Sequence, residues 1–249
     1  MQRIVVNPVQ ITGNCLTLTA AQQHYLQRVL RLKGGDRFLA LDGQGQVWQA
    51  TLQATGTHAE ITVCSEISSP PLSAAKVRLT LAACLPKQGF DEVVRQATEL
   101  GVDEIVPILS DRTLLKPSAH KLQRWQRIAA EAGEQSERLL VPHVREPIDW
   151  SHWSSQESQD YRLICVARRA APSLLSVCLT TPLTAVQIAV GPEGGWTESE
   201  MAQAIAQGYQ PVTLGGTVLR AVTASVTALG ILQAGINFVT MYSPIDTTL

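Results

Sequence analysis

Two glycine-rich turns, each placed directly after an apolar run, constrain the fold of this chain more than any other feature. The first turn, residues 191–195 (Gly-Pro-Glu-Gly-Gly), follows the apolar run 186–190, and a capping-box pattern beginning at Thr197 predicts a helix directly after it. The second turn, residues 215–220, follows a strand predicted at 210–214 and precedes a long apolar helix. A chain that passes twice in succession from a strand through a tight turn into a helix is typical of an α/β fold.

Glycine in these turns lets backbone amides approach a ligand that side chains would exclude. A single turn of this kind is often only structural, whereas two in succession favour a small-molecule site built mainly from backbone. Neither turn has the spacing G-x-G-x-x-G, and the chain contains no G-x-x-x-x-G-K-[ST]. A nicotinamide-dependent oxidoreductase of the ordinary dinucleotide-binding kind, or a P-loop protein, is therefore not expected.

The charges of the 249-residue chain nearly cancel, to a formal net charge of −1, but they are unevenly distributed. Residues 28–37 contain four basic side chains and one acidic one, and residues 112–127 contain five basic side chains and no acid. Such stripes are either a solvated face or a footprint for RNA phosphates, and the sequence leaves both interpretations open.

The five cysteines and five histidines are dispersed, without a C-x-x-C pair or a ligand-like cluster, so no metal site is expected. Cys64, Cys84 and Cys165 lie in apolar runs and are interpreted as reduced core residues. The first eight residues lack the apolar segment of a signal peptide, and we expect a cytoplasmic protein.

The uncharged stretch 221–240 is long enough to cross a membrane. Its threonines, serine, glutamine, asparagine and glycines make it too polar for a convincing span. We expect instead a helix buried in a core or in a subunit interface, and no membrane partner.

The chain is expected to form two domains, residues 1–70 and residues 71–249, separated by the Ser/Pro-rich segment 68–73. The first is a small β-rich unit with one helix, which starts at a Thr19–Gln22 capping box. The second alternates strands with helices, as in a mostly parallel sheet. Its strands are predicted at 77–84, 104–109, 163–167, 186–190 and 211–214, and its helices at 90–100, 119–138, 197–207 and after residue 220.

Several motifs are specific when they are taken together. They are Gln-Ala-Thr-Glu-Leu-Gly-Val at 96–102, Ile-Val-Pro at 105–107, Arg124-Trp125, Glu-Ala-Gly-Glu-Gln-Ser at 131–136, the turn 191–195, Leu214-Gly215 and Leu219-Arg220. On these residues the chain resembles the bacterial ribosomal small-subunit RNA methyltransferase E (RsmE) family of SPOUT methyltransferases, over nearly its whole length.

The resemblance implies a PUA-like RNA-binding β-barrel at residues 1–70 and an α/β SPOUT domain with a parallel sheet at residues 71–249. It also implies a deep trefoil knot near the C-terminus, which periodicity alone could not have indicated. The implied protein is a homodimer that transfers a methyl group from S-adenosylmethionine to N3 of a uridine in 16S rRNA, within the assembled small ribosomal subunit.

In such a fold three loops at strand ends hold the cofactor in a bent shape, here the loops after residues 163–167, 186–190 and 210–214. Leu214, Val218 and Leu219 are expected to sandwich the adenine ring while backbone groups read its edge. The predicted cofactor-binding residues are Ala167, Gly191, Gly194, Gly195, Leu214, Gly215, Val218 and Leu219.

Two residues are candidates for catalysis. Uracil N3 carries a proton at neutral pH, so a cation near O2 or O4 would favour the N3 anion that accepts the methyl group. Arg220 is the candidate for that cation, with an interface or helix-capping arginine as the alternative. Glu193 is the nearest candidate for a base, although its carboxylate could instead accept backbone amides and hold the turn.

Basic residues in both predicted domains are candidates for phosphate contacts. Trp125 is expected to pack within its helix, whereas Trp196 could cover the cofactor or the target base. The candidate phosphate-binding residues are Arg28, Arg31, Lys33, Lys87, Arg112, Lys116, Arg124 and Arg138.

The chain departs from the family at two positions. Val222 replaces the glutamate usual in Leu-Arg-Thr-Glu-Thr-Ala, so a base at that position does not apply here. Glu137 stands where Gln-Ser-Gly-Arg has glycine. Two alternatives therefore stay open: a SPOUT methyltransferase acting on another RNA such as tRNA, or a non-catalytic RNA-binding or ribosome-assembly factor.

Overall fold

The computed structural model describes residues 1–63, 77–113 and 117–242. Contacts within the chain define two compact units. The first unit comprises Met1–Ser73 with Ala130–Val141, and the second comprises Ala74–Ala129 with Pro142–Leu249. The predicted domain boundary, at residue 70, lies outside the described residues and stays a prediction. Cys64 also lies outside the described residues. The grouping of 130–141 with the first unit has no counterpart in the sequence pattern.

The first unit contains a mixed sheet in the order β1-β4-β5-β6-β3-β2. The β1–β4 pair is parallel and the other pairs are antiparallel. The larger apolar cluster of this unit includes the fully buried Leu16, Leu26 and Phe38, and a smaller one is formed by Leu39, Leu41 and Val47. The strands are β1 Arg3–Val5, β2 Ile11–Thr12, β3 Cys15–Thr17, β4 Arg37–Leu41, β5 Val47–Leu52 and β6 His58–Val63.

The predicted helix of the first unit forms, but it changes register after one turn. The Thr19–Gln22 capping box is present, and helix α1 spans Ala20–His24. The chain then makes a π-helical turn, Tyr25–Val29. The spacing of Leu26 and Val29 in the sequence predicts that they share one apolar face of this helix; this is wrong for Val29, which is exposed in the π-helical turn, whereas Leu26 is buried.

The second unit is built on a parallel sheet in the order β10-β8-β7-β12-β11-β13, with β9 also pairing with β8. Every described pairing in it is parallel, as the alternating pattern predicts. The strands are β7 Arg78–Cys84, β8 Glu104–Leu109, β9 His143–Val144, β10 Ile148–Asp149, β11 Tyr161–Cys165, β12 Ala185–Val190 and β13 Gln210–Val212.

The helices that follow α1 are of very different lengths, and the sequence pattern indicated the long ones. The short helices α4 and α5 were not predicted, because neither is long enough to show a clear apolar period. The bounds are α2 Phe90–Glu99, α3 Ala119–Gln135, α4 Trp150–Ser154, α5 Leu174–Thr180, α6 Glu198–Ala206 and α7 Ala221–Tyr242.

The ends of α2 and α3 use the same backbone conformation. Gly101 directly follows the helix predicted at 90–100 and has φ 85°, the left-handed conformation in which a glycine commonly ends a helix. After α3, Glu137 has φ 59°, and the amide of Arg138 donates to the carbonyl of Gly133 at 2.9 Å. The prediction that this helix continues to residue 138 is therefore wrong, because the chain turns left-handed at Glu137.

Helix α7 is long and apolar enough, by length and composition, to pass for a membrane span. It packs against α2, α5, β7 and β12, yet only 28% of its most apolar window is buried in the single chain. The prediction that this helix is buried on most sides within the core is therefore wrong. The alternative prediction, that it lies in a subunit interface, remains.

Candidate active site

A cavity of about 260 Å³ lies in the second unit, where three loops leave neighbouring strands. Strand β11 lies between β12 and β13, and all three run parallel, so their carboxyl ends meet at one edge of the sheet. Open α/β sheets bind ligands outside this edge. The cavity is therefore where the two glycine turns were expected to build a small-molecule site.

The structure brings the predicted cofactor residues together. Each of them lines this one cavity: Ala167, Gly191, Gly194, Gly195, Leu214, Gly215, Val218 and Leu219. Prediction missed other lining residues, notably the adjacent Arg168 and Arg169. Two neighbouring cations directly after an apolar strand were a signal that could have found them.

Trp196 supports the first glycine turn from inside. Its indole Nε1 donates to the carbonyl of Cys165 at 3.2 Å, and its ring lies 4.6 Å from the ring of Trp150. A Cβ at Gly191 would come within 3.0 Å of the same indole nitrogen. A side chain at position 191 would therefore press on the indole, and these contacts favour a supporting role for Trp196 over covering the target base.

Two predicted site residues hold the turn in place. The carboxylate of Glu193 accepts the backbone amide of Lys87 at 2.9 Å, and the guanidinium of Arg112 donates to the carbonyl of Gly194 at 2.5 Å. Both side chains are exposed, but each already has a bond that fixes the loop. The contact of Glu193 supports the loop-holding alternative for this carboxylate.

The buried carboxylate of Glu200 joins two segments behind the turn. It closes the capping box with Thr197, as predicted, and also accepts the backbone amide of Asp111 at 2.9 Å. The Thr197 hydroxyl donates to the Asp111 carboxylate at 3.2 Å. The start of α6 and the end of β8 are therefore held together next to the cavity.

The second glycine turn presents an apolar wall, and at Gly215 there is empty space beside the backbone. Thr213 anchors the turn, because its hydroxyl accepts the Gly215 amide at 3.3 Å. A Cβ at Gly215 would meet nothing within 4 Å, and its φ of 141° is in the region that favours glycine. Leu214 and Leu219 are half-buried and Val218 is exposed, so apolar surface remains available to a flat ring.

Arg220 lies at the junction between this turn and α7. Its carbonyl accepts the amide of Ala224 at 2.8 Å, which starts the helix, and its side chain is exposed. Its neighbours Leu219 and Ala221 line the cavity, although Arg220 itself does not. The guanidinium forms no hydrogen bond or ion pair with any residue that the structure describes.

Val222, which stands where the resemblance predicts glutamate, lies against the N-terminal end of helix α2. A Cβ built on Gly89 would lie 3.1 Å from Val222 Cγ2, and Gly89 is the N-cap of α2. A carboxylate at position 222 would therefore lie beside the N-terminal amides of α2, where negative charge is stabilising. In this chain Asp91 and Glu92 supply acidic groups in the first turn of α2.

The cavity wall contains one cysteine, Cys165, and its thiol is unreactive. Burial raises the pKa of the Cys165 thiol to about 12. Burial likewise raises the pKa of Cys84 well above its usual value. Both cysteines therefore stay protonated thiols at neutral pH, as expected for core residues. Among residues 1–63, 77–113 and 117–242, no group of His, Cys, Asp or Glu could hold a metal ion.

The predicted phosphate-binding residues divide by their contacts. Arg28, Arg31, Lys33 and Lys87 are exposed, and their side chains form no ion pair with described residues. Arg112 holds Gly194 as described above. The remaining three differ: Arg124 pairs with Asp91 at 2.6 Å, Arg138 is half-buried, and Lys116 lies outside the described residues.

Trp125 packs in the core of the second unit, as expected. It is 2% exposed, and its ring lies 4.6 Å from that of Phe90. Its indole donates to the carboxylate of Asp91 at 3.0 Å.

The fold and the cavity match known RNA-modifying proteins. A family model described as an RNA methyltransferase domain matches residues 73–233, and one described as an RNA methyltransferase PUA domain matches residues 18–64. These matches define the class of protein: an RNA methyltransferase with a PUA domain.

Individual relatives narrow the class. The chain is 48% identical to ribosomal RNA small subunit methyltransferase E of Synechocystis, over 93% of this chain and 77% of the relative. It is 30% identical to the enzyme of the same name from Mesomycoplasma hyopneumoniae, over 92% of this chain and 97% of the relative. The crystal structure of ribosomal RNA small subunit methyltransferase E from Neisseria gonorrhoeae bound to S-adenosyl methionine superposes with a TM-score of 0.80 at 31% identity, covering 94% and 97%.

The chain belongs to the ribosomal RNA small subunit methyltransferase E family. The predicted fold class, a PUA-like unit followed by an α/β SPOUT domain with a parallel sheet, is confirmed. The trefoil knot stays a prediction, because strand pairings do not trace it.

Proposed function

We propose that this protein transfers a methyl group from S-adenosylmethionine to N3 of a uridine in 16S rRNA, within the assembled small ribosomal subunit. The observation that carries the proposal is the cavity formed by three loops at the carboxyl ends of β11, β12 and β13, in a chain of this family. We place the enzyme in the cytoplasm, where small ribosomal subunits are found.

The chemistry of the lining fits the cofactor. The leucines of the second turn offer apolar walls for adenine, and the glycines at 195, 215 and 216 leave space beside the backbone, because a Cβ there would meet nothing within 4 Å. The bound cofactor supplies a methyl group on a positively charged sulfur. The protein's part is to orient that group toward the acceptor, since correct orientation alone lowers the barrier substantially.

Arg220 is proposed to activate the acceptor. Its guanidinium is exposed next to two lining residues and has no partner within the described chain, so it is free to donate to a uracil oxygen. A cation there stabilises the N3 anion relative to the protonated ring. Glu193 is proposed to keep the first turn in shape through its bond to the Lys87 amide, and not to accept the N3 proton.

Exposed basic residues that have no ion pair with any described residue are proposed to contact phosphate. In the first unit these are Arg28, Arg31 and Lys33, and in the second unit Lys87. Arg112 and Arg124 are already bonded within the chain, so each would have to exchange a contact to bind RNA.

A homodimer is proposed to cover the apolar surface of α5 and α7. These helices pack together and still expose Leu175, Leu179, Phe238 and Met241, the last with 78% of its surface accessible. An uncharged helix with this much exposed apolar surface is typical of a subunit interface. Sedimentation would show a species of twice the 27.0 kDa chain mass.

The proposed reaction is tested by tritiated methyl transfer from S-adenosylmethionine. Small subunits from a strain without the endogenous activity, protein-free 16S rRNA and tRNA are offered in parallel. Label in 16S rRNA of assembled subunits, mapped to uridine N3, is the expected result. Label confined to tRNA would keep the fold and overturn the substrate.

Arg220→Gln separates its proposed role from cofactor binding. We expect at least a 100-fold loss of turnover with an unchanged affinity for S-adenosylmethionine, because the side chain acts on the acceptor. Arg95→Gln is the matched control, since Arg95 lies on α2 and pairs with Glu92. Retained turnover in Arg220→Gln would contradict the role.

The Val222 departure supports a second candidate, a ribosome-assembly factor without turnover. That candidate predicts cofactor or subunit binding without any incorporated label. The position of Val222 beside the start of α2 argues against it, because a carboxylate there would serve the helix. If the lost carboxylate had abolished turnover, Val222→Glu would be needed to restore methyl transfer.

A further inference from the structure

The loop after β11 brings two arginines to the cavity, and they differ in their bonding. The guanidinium of Arg169 donates to the carboxylate of Glu198, the first residue of α6. Arg168 also lines the cavity and is exposed, but it forms no hydrogen bond or ion pair with any described residue. Arg168 is thus an uncommitted positive charge at the cavity.

The backbone holds Arg168 in an unfavourable conformation. Its φ is 59°, in the left-handed region, which costs a non-glycine residue roughly 1 kcal/mol. The loop is fixed at both ends, because the Val166 amide donates to the Val212 carbonyl and Ser173 caps α5. Glycine would satisfy the same backbone without strain, so a side chain there is kept at a cost in stability.

The other charged residues of the lining are engaged. Arg169 is paired with Glu198, and Glu193 accepts the Lys87 amide. The apolar wall of Leu214, Val218 and Leu219 suits adenine. The opposite end of the cofactor carries an amino acid group, whose carboxylate needs a cationic partner when it leaves water.

We infer that Arg168 binds the carboxylate of S-adenosylmethionine. The inference rests on the proposed function, and it names one cofactor contact that neither glycine turn provides. It assigns Arg168 to cofactor affinity and not to the chemical step.

The test compares S-adenosylmethionine with its decarboxylated analogue by titration calorimetry. The unsubstituted protein is expected to bind the intact cofactor about tenfold more tightly, as for a charge-assisted hydrogen bond. Arg168→Gly and Arg168→Gln should bind both compounds with nearly equal affinity. Arg95→Gln is the control, because Arg95 pairs with Glu92 on α2 and does not line the cavity, and it should keep the preference.

A thermal measurement on the same variants separates binding from folding. Arg168→Gly should raise Tm by a few degrees, since glycine relieves the left-handed strain. Higher stability together with lost discrimination excludes misfolding as the cause.

Three results would overturn the inference. An unchanged preference in Arg168→Gly means that the carboxylate has another partner. The same unchanged preference together with weaker methylation of subunits would assign Arg168 to RNA phosphate. Failure of the unsubstituted protein to bind either compound would instead overturn the proposed function, and the inference would fall with it.

Discussion

The loops after β12 and β11 border the same cavity, and both enter the left-handed region of backbone space, yet with different residues. Gly195 has φ 71° in the loop after β12, and Arg168 has φ 59° in the loop after β11. The glycine meets the backbone requirement without strain, whereas the arginine pays about 1 kcal/mol for it. Glycine therefore marks a position where backbone must be open, and arginine one where a side chain is needed.

The same contrast recurs at two helix ends. Gly101 after α2 and Glu137 after α3 both turn left-handed. At Glu137 the strain is partly offset, because Arg3 donates to its carbonyl at 2.9 Å and to its carboxylate at 3.0 Å. This geometry explains how the chain tolerates glutamate at a left-handed position.

The largest effect is expected at Gly191, where an added side chain would make a close contact although the backbone φ is not left-handed. In Gly191→Ala the new methyl group would press on the Trp196 indole, which Trp150 and the Cys165 carbonyl hold in place. We expect affinity for S-adenosylmethionine to fall at least tenfold, with about 1–2 kcal/mol lost in stability. Calorimetry and urea unfolding measure both.

Gly216→Ala is the matched control for that variant. A Cβ at Gly216 meets nothing within 4 Å, and its φ is not left-handed. Its cofactor affinity should be unchanged. Equal losses in the two variants would mean that any side chain in the glycine turns disrupts the site.

The next effect isolates strain from contact. A Cβ at Gly195 meets nothing within 4 Å, so Gly195→Ala introduces only the left-handed penalty. We expect a loss of about 1 kcal/mol in urea unfolding, opposite in sign to the gain expected for Arg168→Gly. If Gly195→Ala were neutral, the argument from strain at Arg168 would lose its basis.

A smaller effect is expected at Glu137. Glu137→Ala keeps the strain and loses the ion pair to Arg3, while Glu137→Gly loses the same pair and relieves the strain. Glu137→Gly should therefore be about 1 kcal/mol more stable than Glu137→Ala, and close to the unsubstituted chain. Equal stabilities of the two variants would contradict the offset between strain and pairing.

Much of the fold and of the cavity lining could be predicted because it rests on local, repeated signals. The capping boxes at Thr19 and Thr197 both form, Gly101 ends α2, and the two glycine turns border one cavity. Each of these residue types is preferred in one local backbone conformation, so a single sequence is enough to predict that conformation.

The rest depends on contacts between residues far apart in the chain. Nothing local to Arg168 or Glu137 indicates a left-handed backbone, because glycine is absent and the cause lies in the segments that fix each loop. The grouping of residues 130–141 with the first unit is likewise set by bonds such as Arg3 to Glu137. The resemblance indicated the cofactor loops, but not which of their charged residues are already paired.

The smallest effect is expected at Glu134. Its ionisation changes with pH, so the Glu137 variants must be compared at one fixed pH. The Glu134 carboxylate accepts the amide of Val5, and burial, with Glu131 nearby, raises its pKa to about 7. Burial together with Glu134 and Glu131 also raises the pKa of Tyr25, so Tyr25 and both glutamates share this region. Protonated Glu134 is thus favoured in the folded chain relative to the unfolded one.

Because the folded chain holds this proton up to a higher pH, its contribution to stability is complete below the ordinary carboxyl pKa near 4.5 and is lost as pH rises toward 7. Glu134→Gln keeps a neutral acceptor for the Val5 amide at every pH. We expect it to be more stable than the unsubstituted chain at pH 8, by roughly 0.5 kcal/mol after allowing for solvent screening, and equal to it at pH 4. Urea unfolding at both pH values measures this, and a gain at pH 4 alone would reverse the sign and show that ionised Glu134 stabilises the end of α3.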